Sequence, residues 1–178
     1  MTDASCGKLI NKAGKGNYCN PDAPEKLIRY ATRTNGMPSG DLVSWGGVGV
    51  AEFMGVEGVI RQFYAVQGMH RRKGGFGRYA DHEIYSFSRE EERCILEGGL
   101  DIDRIARRMA GDFYGEDCCQ AVYAVHRPDK TGKHMHIHFI VNTVNYRTGG
   151  KRRENKSQTR ERQGRFQEIV REETGSRL

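Results

Sequence analysis

The segment His134-Met135-His136-Ile137-His138-Phe139-Ile140-Val141-Asn142 decides how this chain is read. Apolar residues alternate with histidines and then run on unbroken, which is the pattern of a buried β-strand. Side chains of a strand alternate between its faces. His134, His136 and His138 are therefore expected to point one way, with Met135, Ile137, Phe139 and Val141 pointing the other way into a core. A fourth histidine, His126, ends the apolar stretch Ala121-Val122-Tyr123-Ala124-Val125, which also reads as a strand. Pairing of the two strands through the turn 127–133 would set His126 beside His136 and His138.

A lone histidine in a strand is ordinarily a surface or hydrogen-bonded residue, and two at alternate positions also occur in structural zinc sites. A third, with a fourth at the end of the neighbouring strand, points to a metal site, because neutral imidazole is the commonest protein metal ligand. A structural zinc site usually recruits thiolates and closes its coordination shell. None of the five cysteines, Cys6, Cys19, Cys94, Cys118 and Cys119, has the CxxC spacing of such sites. Three imidazoles with positions left open for water or substrate match the catalytic pattern instead. Such ligands bring no charge, so the ion keeps its own and suits a phosphodiester oxygen.

Composition narrows the partners. The chain of 178 residues fits one domain with a real core, and a formal charge of +6 suits a polyanion without proving one. The N-terminus Met1-Thr2-Asp3-Ala4-Ser5-Cys6 lacks the pattern of a signal peptide, and no apolar run is long enough to span a membrane. An odd number of irregularly spaced cysteines argues for a reducing cytoplasm.

Working outward along the chain, a short strand is expected around Leu9-Ile10. A helix follows from about Ala23 to Thr32, with Asp22 as its cap, Pro24 in its first turn and Leu27, Ile28 and Ala31 as its apolar face. Leu42 to Trp45 reads as a strand closed by Gly46-Gly47, and 51–67 as a helix on the spacing of Phe53, Val56, Ile60, Phe63 and Tyr64. A basic, glycine-rich loop occupies 70–79, a strand His82 to Phe87, a capping box Ser88-Arg89-Glu90-Glu91, and an amphipathic helix Asp101 to Tyr114. Beyond Gly150 the chain turns polar and basic, and Phe166, Ile169 and Val170 mark a terminal helix. Residues 151–178 are read as a basic C-terminal appendage, helical in part, on a domain formed by 1–150.

Among eight tyrosines Tyr30 stands out, between Arg29 and Arg33 near the end of an amphipathic helix. A phenol oxygen can accept a phosphoryl group beside cations, although on spacing alone a packed or surface aromatic is the commoner role.

These residues resemble a known family. His126, a charged turn and the segment 134–142 look like the third motif of the HUH relaxases of the plasmid mobilisation-protein (MobP-like) type. Leu27-Ile28-Arg29-Tyr30-Ala31-Thr32-Arg33 is similar to their first motif, and His82-Glu83-Ile84-Tyr85-Ser86-Phe87 to the strand between. The resemblance spans about residues 25–170 in the correct order. It departs in the turn after His126, about two residues longer than usual, with its acid at Asp129.

The resemblance implies an α+β fold, a central antiparallel sheet with helices packed on it. It also implies nicking of one DNA strand at a plasmid transfer origin, with a 5′-phosphotyrosyl link. By the same resemblance Tyr30 is the nucleophile, and His126, His136 and His138 hold Mg²⁺ or Mn²⁺, with His134 a neighbour just outside the ligand set. Glu83 is a further candidate to orient a ligand imidazole. DNA contacts are expected from Arg71, Arg72, Lys73, Arg78, Lys151, Arg152 and Arg153, which otherwise read as solvated surface. Expected partners are single-stranded DNA at a transfer origin and accessory relaxosome and coupling proteins, with no membrane.

Three rivals share part of the pattern. A rolling-circle initiator carries its tyrosine on a helix after the histidines, where this chain has only Tyr146, in a turn. A metal-dependent hydrolase would use water as nucleophile. A basic nucleic-acid-binding module with structural zinc would unfold on metal removal.

Overall fold

A computed structural model of the chain describes residues 6–11, 18–36, 40–70, 77–129 and 132–175. Five strands form one antiparallel sheet: β1 (Lys8–Asn11), β2 (Leu42–Val48), β3 (Ala80–Ser86), β4 (Cys119–His126) and β5 (His136–Asn145). Their order is β1-β3-β5-β4-β2, so the histidine-bearing β5 lies at the centre, between β3 and β4. Helices α1 (Ala23–Ala31) and α2 (Gly55–Met69) cover one face. Helices α3 (Arg89–Glu97), α4 (Ile102–Ala110) and α5 (Lys156–Glu173) cover the other. This is the α+β arrangement expected of the sequence.

Alternation along β5 divides the core in two. Ile137, Phe139 and Val141 join Ile95, Ile105, Met109 and Phe166 beneath α3, α4 and α5. Ile140, one residue out of phase, joins Ile28, Ala31, Val59 and Phe63 beneath α1 and α2. The site histidines share this second face with Ile140.

Several elements differ from expectation for local reasons. Strand β2 continues through Gly46 and Gly47 to Val48, where a closing turn was expected. Both glycines face large neighbours: a Cβ at Gly46 would collide with the phenol of Tyr123, and one at Gly47 with Val50. The absent side chains let β2 pair closely with β4 at these positions. The helix expected from residue 51 opens as a 3₁₀ turn, Glu52–Met54, before α2. Helix α4 passes into a π-turn, Gly111–Gly115, which sets Tyr114 fully into the core. Strand β5 begins at His136, so His134 precedes the strand.

Helix α5 of the C-terminal segment packs against the sheet. Phe166 stacks on Phe139 at 5.5 Å and meets Phe113 edge-on at 4.7 Å. Arg162 of α5 reaches through to Glu83 of β3, both essentially buried, and the pair is joined by the Tyr114 hydroxyl and by Glu154. Burial pushes the Glu83 carboxyl up, but the Arg162 and Arg152 guanidinium groups outweigh this and hold it below its usual range. Arg162→Met is expected to cost up to about 3–5 kcal/mol in urea unfolding, because it removes the closer of the two guanidinium partners of a buried carboxylate and leaves only Arg152. The double variant Glu83→Leu with Arg162→Met should recover much of that loss. Equal losses in the single and double variants would show that packing, and not the stranded charge, sets the cost.

No helix among the described residues is long and apolar enough to cross a membrane.

Candidate active site and metal centre

Hydrogen-bond register places the histidines. His126 lies opposite His136 across the β4–β5 pair, and Ala124 lies opposite His138. Strand residues opposite or two apart on one face are within reach of long side chains. One ligand nitrogen from each of His126, His136 and His138 lies within 4.8 Å of the others.

Each imidazole is oriented by a bond through its outer nitrogen. His126 donates from Nε2 to the Ala31 carbonyl at 2.7 Å, leaving Nδ1 as the acceptor nitrogen. His136 donates from Nδ1 to the His134 carbonyl at 2.8 Å, leaving Nε2. His138 shares a 2.8 Å bond between its Nδ1 and Nε2 of His82, and its own Nε2 is buried with no hydrogen-bond partner. An unpartnered buried nitrogen is costly. A cation bound here would satisfy it, and outer-nitrogen bonds are how ligand imidazoles are commonly fixed. The donor set, three neutral imidazoles and no thiolate, fits a divalent ion with open positions.

Burial keeps these groups neutral. It pushes the His126 imidazolium down to about 4 and lowers His136, while His138 is driven far below its ordinary value by burial and by the neighbouring His126 and His82. The sign for stability follows directly. Unfolded histidine binds a proton near pH 6.5, whereas folded His126 does so only near pH 4. Between these values the unfolded state binds more protons, so stability falls as pH falls. In chelator, urea midpoints are expected to drop from pH 7 toward pH 4, with a slope of up to roughly 1.4 kcal/mol per pH unit for each such histidine. A flat profile over that window would contradict the burial of these rings.

Tyr30 is brought to the cluster by α1. Its ring is edge-on to His138 at 5.6 Å and to His82 at 6.3 Å, and the residue is 42% exposed. The guanidinium of Arg33 lies over the same ring, 4.9 Å from its centroid. Asp41 grips Arg33 with two bonds of 2.9 and 2.6 Å, and its backbone carbonyl ties to Arg127 N–H at 2.8 Å, just past His126.

Other candidates sit elsewhere. Glu83 is adjacent to His82 and therefore faces the opposite side of β3, engaged with Arg162 and Tyr114. This corrects its reading as the partner of a ligand imidazole: the alternation of β3 gives that position to His82. His134 contributes its carbonyl to His136, while its ring lies 3.6 Å from Glu92. Asp129 pairs with Lys133 within the turn. Arg71, Arg72 and Lys73 lie outside the described residues.

Arg78, Lys151 and Arg152 stand near the Asn142 end of the sheet. Ala80 is opposite Asn142 and Ile84 opposite His138, so four residues, roughly 13 Å of strand, separate that end from the nearest histidine of the cluster. Arg152 is 7% exposed and ion-paired to Asp81 and Glu83, which makes it a buried strut and corrects its reading as a DNA contact. Lys151 donates to the Arg78 carbonyl, and burial pushes its ammonium down to about 8. Arg153 is exposed beside a cavity of about 220 Å³. Nearer the histidines, a groove of about 380 Å³ is lined by Lys8, Ile10, Ser86, Arg89 and His134, next to His136 through its partner Ser86.

His82, Arg33 and Asp41 were not read from sequence as site residues. Only the period-2 pattern of β3 could have flagged His82, once Glu83 was assigned to the opposite face.

Searched against curated proteins, the chain matches none. Residues 44–174 match the family described as relaxase, MobA/VirD2-like, nuclease domain. The matched span holds His82, His126, His136 and His138 and begins beyond Tyr30 and Arg33. A DNA-nicking nuclease of this kind acts on single-stranded DNA and in general uses a divalent metal, and the three-histidine cluster stands within the matched span. With its antiparallel sheet and its clustered histidines, the chain belongs to the MobA/VirD2-like relaxase family, as a relaxase nuclease domain.

Proposed function

We propose that this domain nicks one strand at a transfer origin through attack by Tyr30, forming a 5′-phosphotyrosyl intermediate, for conjugative mobilisation of a plasmid. The observation that carries this reading is the placement of Tyr30 against His138, edge to face at 5.6 Å, with Arg33 over the ring. Helix α1 supplies the nucleophile, and the β4–β5 pair supplies the imidazoles.

The Tyr30 oxygen forms the new bond to phosphorus as the bond to the 3′ oxygen breaks. The phenol proton is lost and the departing 3′ oxygen gains one, leaving a 3′-OH strand. A Mg²⁺ or Mn²⁺ ion on His126, His136 and His138 would supply charge for a non-bridging oxygen. With Nδ1 of His138 donating to Nε2 of His82, His138 would present its Nε2 to that position. The groove lined by Lys8, Arg89 and Ile10 offers cations for phosphates and an apolar surface for a base as the strand leaves the site. The phosphotyrosyl ester retains the energy of the broken diester, so the reaction can run backwards and join a second 3′-OH strand. Relaxosome and coupling proteins would act in the cytoplasm to deliver this strand.

The test is incubation of the protein with end-labelled single-stranded origin DNA and Mn²⁺, followed by denaturing electrophoresis. A labelled protein–DNA adduct, and its disappearance on adding an unlabelled strand with a free 3′-OH, supports the reading. Cleavage to a free 5′ phosphate with no adduct would replace it with a water-based hydrolase.

A further inference from the structure

Arg33 stands where the backbone favours a residue without a side chain. Helix α1 ends in a Schellman turn, with Thr34 N–H on the Arg29 carbonyl at 2.9 Å and Arg33 N–H on the Tyr30 carbonyl at 3.4 Å. Arg33 takes the left-handed conformation of that turn, φ 57°, where glycine is the usual occupant because a Cβ is crowded there. The turn aims the arginine back over Tyr30 and toward His126.

The donors of Arg33 are nearly all assigned. A guanidinium has five N–H groups in a planar fork. Asp41 takes two, from Nε at 2.9 Å and from Nη2 at 2.6 Å. Nη1 donates one to the Tyr30 carbonyl at 3.1 Å, and Nη2 donates its second to Nδ1 of His126 at 3.1 Å. That Nδ1 is the acceptor nitrogen of the ring, since Nε2 is the donor to Ala31. One lone pair cannot serve both an N–H and a divalent cation.

Resting on the relaxase reading above, we propose that Arg33 is a catalytic residue that binds the phosphodiester being cut. With His126 holding a cation through Nδ1, the Nη2 hydrogen of Arg33 would be freed. Nη1 and Nη2 then each have one N–H to offer, a bidentate fit to two oxygens of a phosphodiester. Asp41 keeps its grip on the Nε side, so the released donors stay beside Tyr30. The anionic diester also screens the guanidinium from the cation, so metal and DNA each favour binding of the other.

Two variants test this. Arg33→Gln keeps a polar side chain, and Arg33→Gly suits the positive φ and guards against a folding defect, checked by the unfolding midpoint in chelator. Mn²⁺ alone is titrated by calorimetry, and a short labelled single-stranded oligodeoxynucleotide of mixed sequence by anisotropy with Mn²⁺ present. Both variants are expected to bind Mn²⁺ as well as wild type or up to about 10-fold more tightly, because a competitor for the lone pair is gone. Oligonucleotide affinity should fall about 10-fold or more, and the slope of log affinity against log salt should shrink by about 0.7. Unchanged oligonucleotide affinity and slope would overturn the proposal and leave Arg33 a strut for Asp41. Loss of Mn²⁺ affinity in both variants would overturn it in favour of a metal-supporting role. Absence of saturable Mn²⁺ binding in wild type would remove the metal reading and this proposal together, whereas failure of the variants alone removes only the latter.

Discussion

Tyr30→Phe is expected to abolish the covalent protein–DNA species and strand rejoining, by on the order of 10⁴-fold or more. The ring packs edge-on to His138 and His82 and beneath Arg33 through carbon atoms that phenylalanine retains. Fold, Mn²⁺ affinity and oligonucleotide affinity should therefore stay near wild type while the chemistry vanishes. Denaturing electrophoresis with labelled origin DNA measures the loss, and anisotropy confirms that the strand still binds. A persistent adduct mapped to another tyrosine, such as Tyr18, whose ring lies 6.4 Å from His82, would move the nucleophile without removing the relaxase chemistry. Survival of cleavage without an adduct would point to water.

His138→Ala is expected to weaken Mn²⁺ binding by more than about 100-fold and to abolish nicking, since two imidazoles remain where three converged. His136→Ala should behave alike. The metal-free fold should survive at somewhat lower stability, because the substitution removes an unpartnered buried nitrogen together with a single bond to His82. His134→Ala is the informative control. The part of His134 that serves the cluster is its carbonyl, which accepts from His136, and alanine keeps that carbonyl. Calorimetry should find its affinity within a few-fold of wild type. A loss equal to that of His138→Ala would place the His134 ring among the ligands and overturn this assignment. Unfolding of the wild-type chain in chelator would instead mark the site as structural.

The two predictions rest on features with different degrees of legibility. The period-2 pattern of 134–142 was enough to assign Ile137, Phe139 and Val141 to one core and His136 and His138 to the opposite face, and both assignments match the structure. The pairing of His126 with His136 followed from two apolar strands joined by a short turn. The helix carrying Tyr30 was readable from Pro24 and from the spacing of Leu27, Ile28 and Ala31. These are local regularities, and short-range sterics and burial impose them wherever the chain is placed.

Charge was less legible, because a cation's role depends on what folds against it. Arg78, Lys151 and Arg152 looked like DNA contacts in a basic stretch, yet Arg152 is enclosed by Asp81 and Glu83, and all three lie toward the far end of the sheet. Glu83 and His82 are neighbours in sequence with opposite surroundings, one facing α5 and the other facing Tyr30. Arg33 comes to lie over Tyr30 only because a left-handed turn points it back over α1 and because Asp41, eight residues on, meets it there. The sequence by itself determined the strands, their faces and the histidine alignment, since alternation and apolar burial act over a few residues. The tertiary structure alone decided which imidazole nitrogens face inward and which cation stands over Tyr30, since those depend on contacts between segments distant along the chain.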